Sequence, residues 1–276
     1  MSMTDPLRIA IAGVAGRMGK ELLSAVTNDV TDVVLAAATA RPGSDLIGRD
    51  AGSLIGRELR VNIKEELDPV EFDLLIDFTN PELTLEHCTV CAEHGKSLVI
   101  GTTGFSPDQL TQIESVAQQT PILLAPNMSV GVNLLFHLLQ QAAAAIGADA
   151  DIEINETHHR HKLDAPSGTA LRMGEVIANA MGQELEDCAV YDRHGVNASR
   201  QSNSIGFSSI RAGDVIGDHT ALFATEGERL EISHKASSRE IYASGALRAA
   251  RWLQGQPAGL YSMQNVLGLN SMDKSD

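Results

Sequence analysis

In the first half of the chain, apolar residues come in short unbroken runs, separated by longer stretches whose apolar residues lie three and four apart. Leu7-Arg-Ile-Ala-Ile-Ala12, Val33-Val-Leu-Ala-Ala-Ala38, Asp73-Leu-Leu-Ile-Asp-Phe-Thr79, Ser97-Leu-Val-Ile-Gly-Thr-Thr103 and Pro121-Ile-Leu-Leu-Ala-Pro-Asn127 are such runs. Their length and aliphatic content predict buried strands. Leu22, Leu23 and Val26 mark a helix after the first run. Pro81 opens another that Gly95 ends, and a third lies near Pro107–Gln119. Strands that alternate with helices predict a parallel, doubly wound sheet.

The pattern changes after Asn127. Ser129 is placed to cap a long helix through Leu134, Leu135, Leu138 and Leu139 to Ala145. Ile152-Glu-Ile-Asn-Glu-Thr157 reads as a strand and the stretch from about Ala170 to Met181 as a helix. Ser204–Ala212, Val215–Ala224 and Arg229–Lys235 follow as strands with short gaps, which predicts an antiparallel or mixed sheet. Arg239–Leu253 reads as a closing helix. The fold class is α/β, with a boundary near Ser129 between a doubly wound parallel sheet and a smaller α+β domain. The tail Asp273–Asp276 is expected to be disordered.

Composition narrows the partners. A net charge of -15 over 276 residues argues against nucleic acid or an anionic membrane. The N-terminus has neither a basic flank nor an apolar run, and no stretch is long enough to span a bilayer. Cys88, Cys91 and Cys188 are too few for a disulfide framework. These features read as a soluble cytoplasmic protein. Cys88-Thr-Val-Cys91 falls inside a helix, not at its N-terminus, and reads as packing. His87 and His94 lie along the same helix and read as structural or exposed.

Against this acidic background, His158-His159-Arg160-His161-Lys162 is a run of five cationic or titratable residues. Pro166-Ser-Gly-Thr169 follows and reads as a helix start. Proton donors therefore stand next to backbone N–H groups suited to an anion, here those of Gly168 and Thr169. If the segment stays extended, His158, Arg160 and Lys162 share one face, and His159 and His161 the other. Arg160 and Lys162 would repel a cation, so no metal site is assigned. A solvated charge run is the other reading.

Gly13-Val14-Ala15-Gly16-Arg17-Met18-Gly19 follows the first strand and precedes a helix, the context of a dinucleotide-binding turn. Ala15 replaces the usual second glycine. The second strand ends Ala38-Thr39-Ala40-Arg41, where an acidic residue would read a ribose hydroxyl. No carboxylate is present there, and Arg41 is suited to a 2′-phosphate.

Glu156–Ala170 resembles the signature of the 4-hydroxy-tetrahydrodipicolinate (dihydrodipicolinate) reductase family. The resemblance extends to Gly13–Gly19, Ile76-Asp-Phe-Thr79, Gly101-Thr-Thr-Gly-Phe105, Asn127-Met-Ser-Val-Gly-Val-Asn133 and Glu231-Ile-Ser-His-Lys-Ala-Ser-Ser-Arg239. It implies NAD(P)H-dependent reduction of a cyclic imine dicarboxylate, with loss of water, in lysine and diaminopimelate biosynthesis. It implies a Rossmann-type cofactor domain of residues 1–128 with 240–276 returning to it. Residues 129–239 would then bind substrate and build a homotetramer. By the same resemblance His158 is the proton donor and acceptor, and Lys162 a proton donor. His159, Gly168 and Thr169 would contact substrate. Gly13, Val14, Ala15, Gly16, Arg17, Met18, Gly101, Thr102, Thr103, Ala125, Pro126, Asn127 and Met128 would contact cofactor, with Arg41 on the 2′-phosphate. Many members carry an acidic residue where this chain has Ala40, so NADPH is expected to be preferred over NADH. The alternatives are another imine or amino-acid dehydrogenase, or a non-catalytic NAD(P)-binding sensor.

Overall fold

The computed structural model describes residues 5–29, 32–196 and 198–269, and the Asp273–Asp276 tail lies outside them. The described residues form two compact units. One contains those up to Val130 and from Glu240 onward, the other Gly131–Arg239.

In the first unit, β1 (Leu7–Ala12), β2 (Val33–Thr39), β3 (Ile63–Lys64), β4 (Leu74–Asp77), β5 (Ser97–Ile100) and β6 (Pro121–Leu124) pair in parallel. The connections carry α1 (Arg17–Asn28), α2 (Pro81–Glu93) and α3 (Pro107–Ala117). Local chemistry sets the helix starts. Asn80 caps α2 by accepting from the Leu83 N–H, and Ser106 and Gln109 form a capping box at α3. Each of these helices has proline at its first turn, where no donor is lost. Successive residues of β1 point to opposite faces. Ile9 and Ile11 enter a core with Leu22, Leu23 and Val26 of α1. Ala10 and Ala12 enter a second core with Cys88 and Cys91 of α2 and Ile113 of α3. Burial on both faces is why these strands read as continuous apolar runs.

The second unit opens with α4 (Val130–Ile146) and β7 (Asp151–His158), followed by α5 (Gly168–Ala180) and α6 (Leu185–Cys188). Then come β8 (Ala189–Val190), β9 (Ile205–Arg211), β10 (Gly217–Thr225) and β11 (Glu228–Ala236). The sheet order is β11-β10-β7-β9-β8. β10 is antiparallel to β7 and β11, and β9 is parallel to β7 and β8, so the sheet is mixed. Ile152 and Ile154 of β7 face the core built with Leu135 and Leu139 of α4 and Met173 and Ile177 of α5.

The chain then adds α7 (Glu240–Leu253), β12 (Gly259–Tyr261) and α8 (Met263–Leu267) to the first unit. α7 packs on α1, where Arg251 pairs with Asp29 and Asp32. β12 pairs with β6 and completes a seven-stranded sheet, β12-β6-β5-β4-β1-β2-β3. β3 and β12 are strands of two and three residues, too short to leave a hydrophobic period in the sequence. Among the described residues, no helix is long and apolar enough to cross a membrane.

Candidate active site

The strand order of the first unit reverses between β1 and β4, and the crevice beyond their C-terminal ends is the usual ligand position in an open α/β sheet. Gly13 ends β1 there with φ +71°, and a Cβ on it would lie 3.0 Å from Thr79 Cγ2. A Cβ on Gly19 would lie 2.5 Å from the Gly13 carbonyl oxygen, so only glycine lets α1 start this close to the turn. The Val14 N–H donates to the Thr39 carbonyl at 2.9 Å, which ties the turn to β2. Ala15, Gly16 and Arg17 are exposed at the start of α1, and Met18 is half-buried. A cavity of about 470 Å³ opens here, lined by Gly13, Ala40, Arg41, Glu65, Thr79 and His87 among others. Gly13 of the turn and Arg41 after β2 line it together, which suits the adenosine half of a dinucleotide.

The other expected cofactor contacts also follow strand ends. Gly101, Thr102 and Thr103 follow β5, and Ala125–Met128 follow β6. Val14, Thr102, Ala125 and Met128 are buried. Asn127 accepts from the Ser129 N–H at 2.9 Å. Beneath this rim lies a polar network that the sequence reading missed. Asp77 is fully buried and holds His87 Nδ1 at 2.7 Å through Oδ2. Its Oδ1 accepts from the Thr79 N–H and hydroxyl at 2.8 and 2.6 Å. Burial pushes the Asp77 pKa up, but His87 and Thr79 override it and leave it below the ordinary value. His94 is exposed at the end of α2.

The end of β2 carries no carboxylate, but a neighbouring strand brings one to the same place. β3 pairs beside β2, with Thr39 opposite Lys64, so Glu65 reaches the same cavity next to Ala40 and Arg41. Glu65 accepts from the Gly43 N–H at 3.0 Å.

The basic cluster belongs to the second unit. Its extended reading does not hold. β7 stops at His158, and the chain turns there, with the Lys162 N–H donating to the His159 carbonyl at 3.1 Å. The inward face of β7 runs Ile152, Ile154, Glu156, His158, so apolar burial gives way to a buried acid and a buried base. His158 Nδ1 lies 2.5 Å from Glu156 Oε2. Arg211 grips both Glu156 oxygens, each at 2.8 Å. The Ser167 N–H donates to Glu156 Oε1 at 3.2 Å. Burial works to raise the Glu156 pKa, but Arg211 and His158 hold it at about 2.

Ser167 caps α5, its hydroxyl accepting from the Ala170 N–H at 3.2 Å, and Gly168 and Thr169 are the first helical residues. The Ser167 hydroxyl also lies 3.0 Å from Nε2 of His219. Burial, aided by His158, lowers the His219 pKa to about 4, so this imidazole is neutral at physiological pH. His158 and His219 meet edge to face, with ring centroids 5.0 Å apart. His159 is half-buried, its Nδ1 has no hydrogen-bond partner among the described residues, and burial and Arg239 lower its pKa. Lys162 Nζ lies 2.9 Å from Asp164 Oδ2. Arg160 and His161 are exposed. Among the described residues no group of three or more His, Cys, Asp or Glu could hold a metal ion. Burial raises the Cys88 pKa to about 12 and that of Cys91 further, which makes both thiols inert.

Sequence reasoning singled out His158, Lys162 and the helix start; Glu156 ties His158 to that helix start through the Ser167 N–H, and Lys162 lies in the turn between them. It missed the roles of Glu156, Arg211 and His219. Glu156 was legible in part, because it shares His158's face two residues earlier.

The two units match separate family models, residues 7–128 that of dihydrodipicolinate reductase, N-terminus, and residues 131–267 that of its C-terminus. A structure described as dipicolinate-bound dihydrodipicolinate reductase from Paenisporosarcina sp. TG-14 is similar, with 26% identity and TM-score 0.76 over 94% of this chain and 99% of that one. An amine dehydrogenase from Mycobacterium smegmatis aligns at 14% identity and TM-score 0.58, covering 95% and 96% of the two chains. Aspartate semialdehyde dehydrogenase II from Vibrio cholerae aligns at 12% and 0.56, covering 91% and 99%. The last two share the fold alone. With both family models matched in order along nearly its whole length, the chain belongs to the dihydrodipicolinate reductase family of NAD(P)H-dependent oxidoreductases in lysine biosynthesis.

Proposed function

We propose that His158 and Lys162 deliver the proton in reduction of 4-hydroxy-tetrahydrodipicolinate, and that His159, Gly168 and Thr169 hold the substrate. The observation that carries this reading is that buried His158 pairs with Glu156, whose carboxylate also accepts from the Ser167 N–H at the start of α5. Loss of the 4-hydroxyl as water leaves a C=C bond conjugated with the imine, and a reduced nicotinamide, when bound, would supply a hydride to that system. Electron density then builds on the substrate's imine nitrogen, and a cationic Lys162 or His158 stabilises it and supplies the proton. A ring diacid needs two anion sites. The N–H groups and helix dipole at Gly168–Thr169 make one, and the cations around His159 and Lys162 make the other. The dipicolinate in the similar Paenisporosarcina structure is such a diacid.

Residues 1–128 and 240–276 would bind the cofactor through Gly13–Met18, Gly101–Thr103 and Ala125–Met128. NADPH would be preferred, with Arg41 on the 2′-phosphate. Glu65 in the same cavity limits that preference to a bias. Residues 129–239 would bind substrate and form a homotetramer through a sheet whose β11 is largely exposed in the single chain. The three free cysteines agree with a cytoplasmic setting. The test is NADPH oxidation with and without substrate made in situ by the condensing synthase. Oxidation that does not depend on substrate would overturn the assignment. A particle mass equal to one chain would overturn the tetramer.

A further inference from the structure

We infer that Glu156 is a positioning residue that locks the tautomer of His158, and that Arg211 locks Glu156 in turn. The inference rests on the proposed role of His158 and extends it. Glu156 is 1% exposed and surrounded by donors. Arg211 gives it two hydrogen bonds, the Ser167 N–H a third, and His158 Nδ1 stands 2.5 Å away. An ionised carboxylate only accepts, so Nδ1 must carry a hydrogen. Nε2 is then the one ring nitrogen able to take up and release a proton. The fold leaves room on that side. A Cβ at Gly217 would stand 3.0 Å from His158 Nε2, closer than side chains comfortably approach.

Sheet register builds this device. Arg211 of β9 lies directly opposite His158 of β7, and His219 of β10 lies opposite Glu156. The charged and titratable groups around His158 are therefore Glu156 on its own strand, Arg211 on β9, His219 on β10, and His159, His161 and Lys162 in the turn. Among these groups it is Glu156 that hydrogen-bonds the ring. The same carboxylate holds the Ser167 N–H at the cap of α5. One side chain thus sets both the proton-carrying ring and the helix start that receives a substrate carboxylate.

Glu156→Gln tests this, because it keeps the shape and puts an amide NH2 against a ring of donors. The expected kcat falls about a hundredfold, within the range of general acid–base contributions, while KM for NADPH stays within about twofold. NMR of 15N-histidine-labelled protein gives a second readout. Wild type is expected to show His158 with a protonated Nδ1 and an unprotonated Nε2 when the ring is neutral. In Glu156→Gln the opposite or a mixed tautomer should appear. Arg211→Lys, which loses the two-pronged grip, should fall between. A wild-type Nε2–H tautomer, or full kcat in Glu156→Gln, overturns the inference. Near-normal kcat in His158→Ala would instead remove the catalytic reading, and the wild-type tautomer would still decide the positioning one, including where the variants fail to fold.

Discussion

Lys162 Nζ and Asp164 Oδ2 lie 2.9 Å apart, but the lysine side chain is 21% exposed and the aspartate 60%. Water reaches the acid, so the pair is worth well under about 1 kcal/mol and does not commit the lysine. Lys162 can exchange Asp164 for a substrate carboxylate at small cost. Lys162→Ala and His158→Ala are each expected to lower kcat by about a hundredfold to ten-thousandfold. NADPH binding, followed by fluorescence titration, should stay near wild type. Asp164→Asn should change kcat by less than about tenfold, since it removes only an exposed partner. Near-normal turnover in both Lys162→Ala and His158→Ala would remove their proposed roles.

Pyridine-2,6-dicarboxylate is expected to compete with substrate, because the diacid can engage two anion sites at once. Thr169→Val should weaken it about tenfold, the order of one lost hydrogen bond to a charged group. Equal inhibition by pyridine monocarboxylates would show that one site suffices.

The pairing of β2 with β3 puts Arg41 and Glu65 in one cavity, so under the proposed reading opposing charges would set cofactor choice. A charge-assisted bond to a 2′-phosphate is worth about 1.5–3 kcal/mol. Arg41→Ala should therefore raise KM for NADPH by about one to two decades and barely change that for NADH. Glu65→Gln should act in the other direction and increase the NADPH bias. Steady-state kinetics with both cofactors decide this, and higher kcat/KM with NADH in wild type would reverse the proposed preference.

Glu156 also makes stability depend on pH. Its folded pKa of about 2 lies below the ordinary 4.5, so its ionised form stabilises the fold. That contribution is fully present above about 4.5 and is lost as pH falls toward 2. Linkage for a carboxylate displaced this far gives about 3 kcal/mol. Glu156→Gln should lower Tm at neutral pH, and the two Tm curves should converge as the acid becomes protonated. Curves that stay parallel through this window would show that Glu156 contributes no such linkage.

The amino-acid order alone determined β1, β2, β4, β5 and β6, the helix starts at Pro81 and Pro107, and the helix start at Pro166–Thr169. Each depends on residues within a few positions, where side-chain period and capping chemistry are local. It also brought forward His158 and Lys162, whose residue types are unusual in an acidic chain, and the Gly13–Gly19 turn, which lies between a strand and a helix. It did not reach β3 or β12, whose two and three residues carry no period.

Tertiary structure alone decided which distant groups meet. Asp77 and His87 are ten residues apart, but their pairing depends on how α2 packs against β4. Glu65 joins Arg41 because β3 lies beside β2. Arg211 is 55 residues from Glu156 and reaches it through the parallel register of β7 with β9. A hydrophobic period tells which face of a strand is buried. It does not tell which strand lies alongside, because that follows from packing the whole sheet, and a shift of one residue would turn Arg211 to the opposite face.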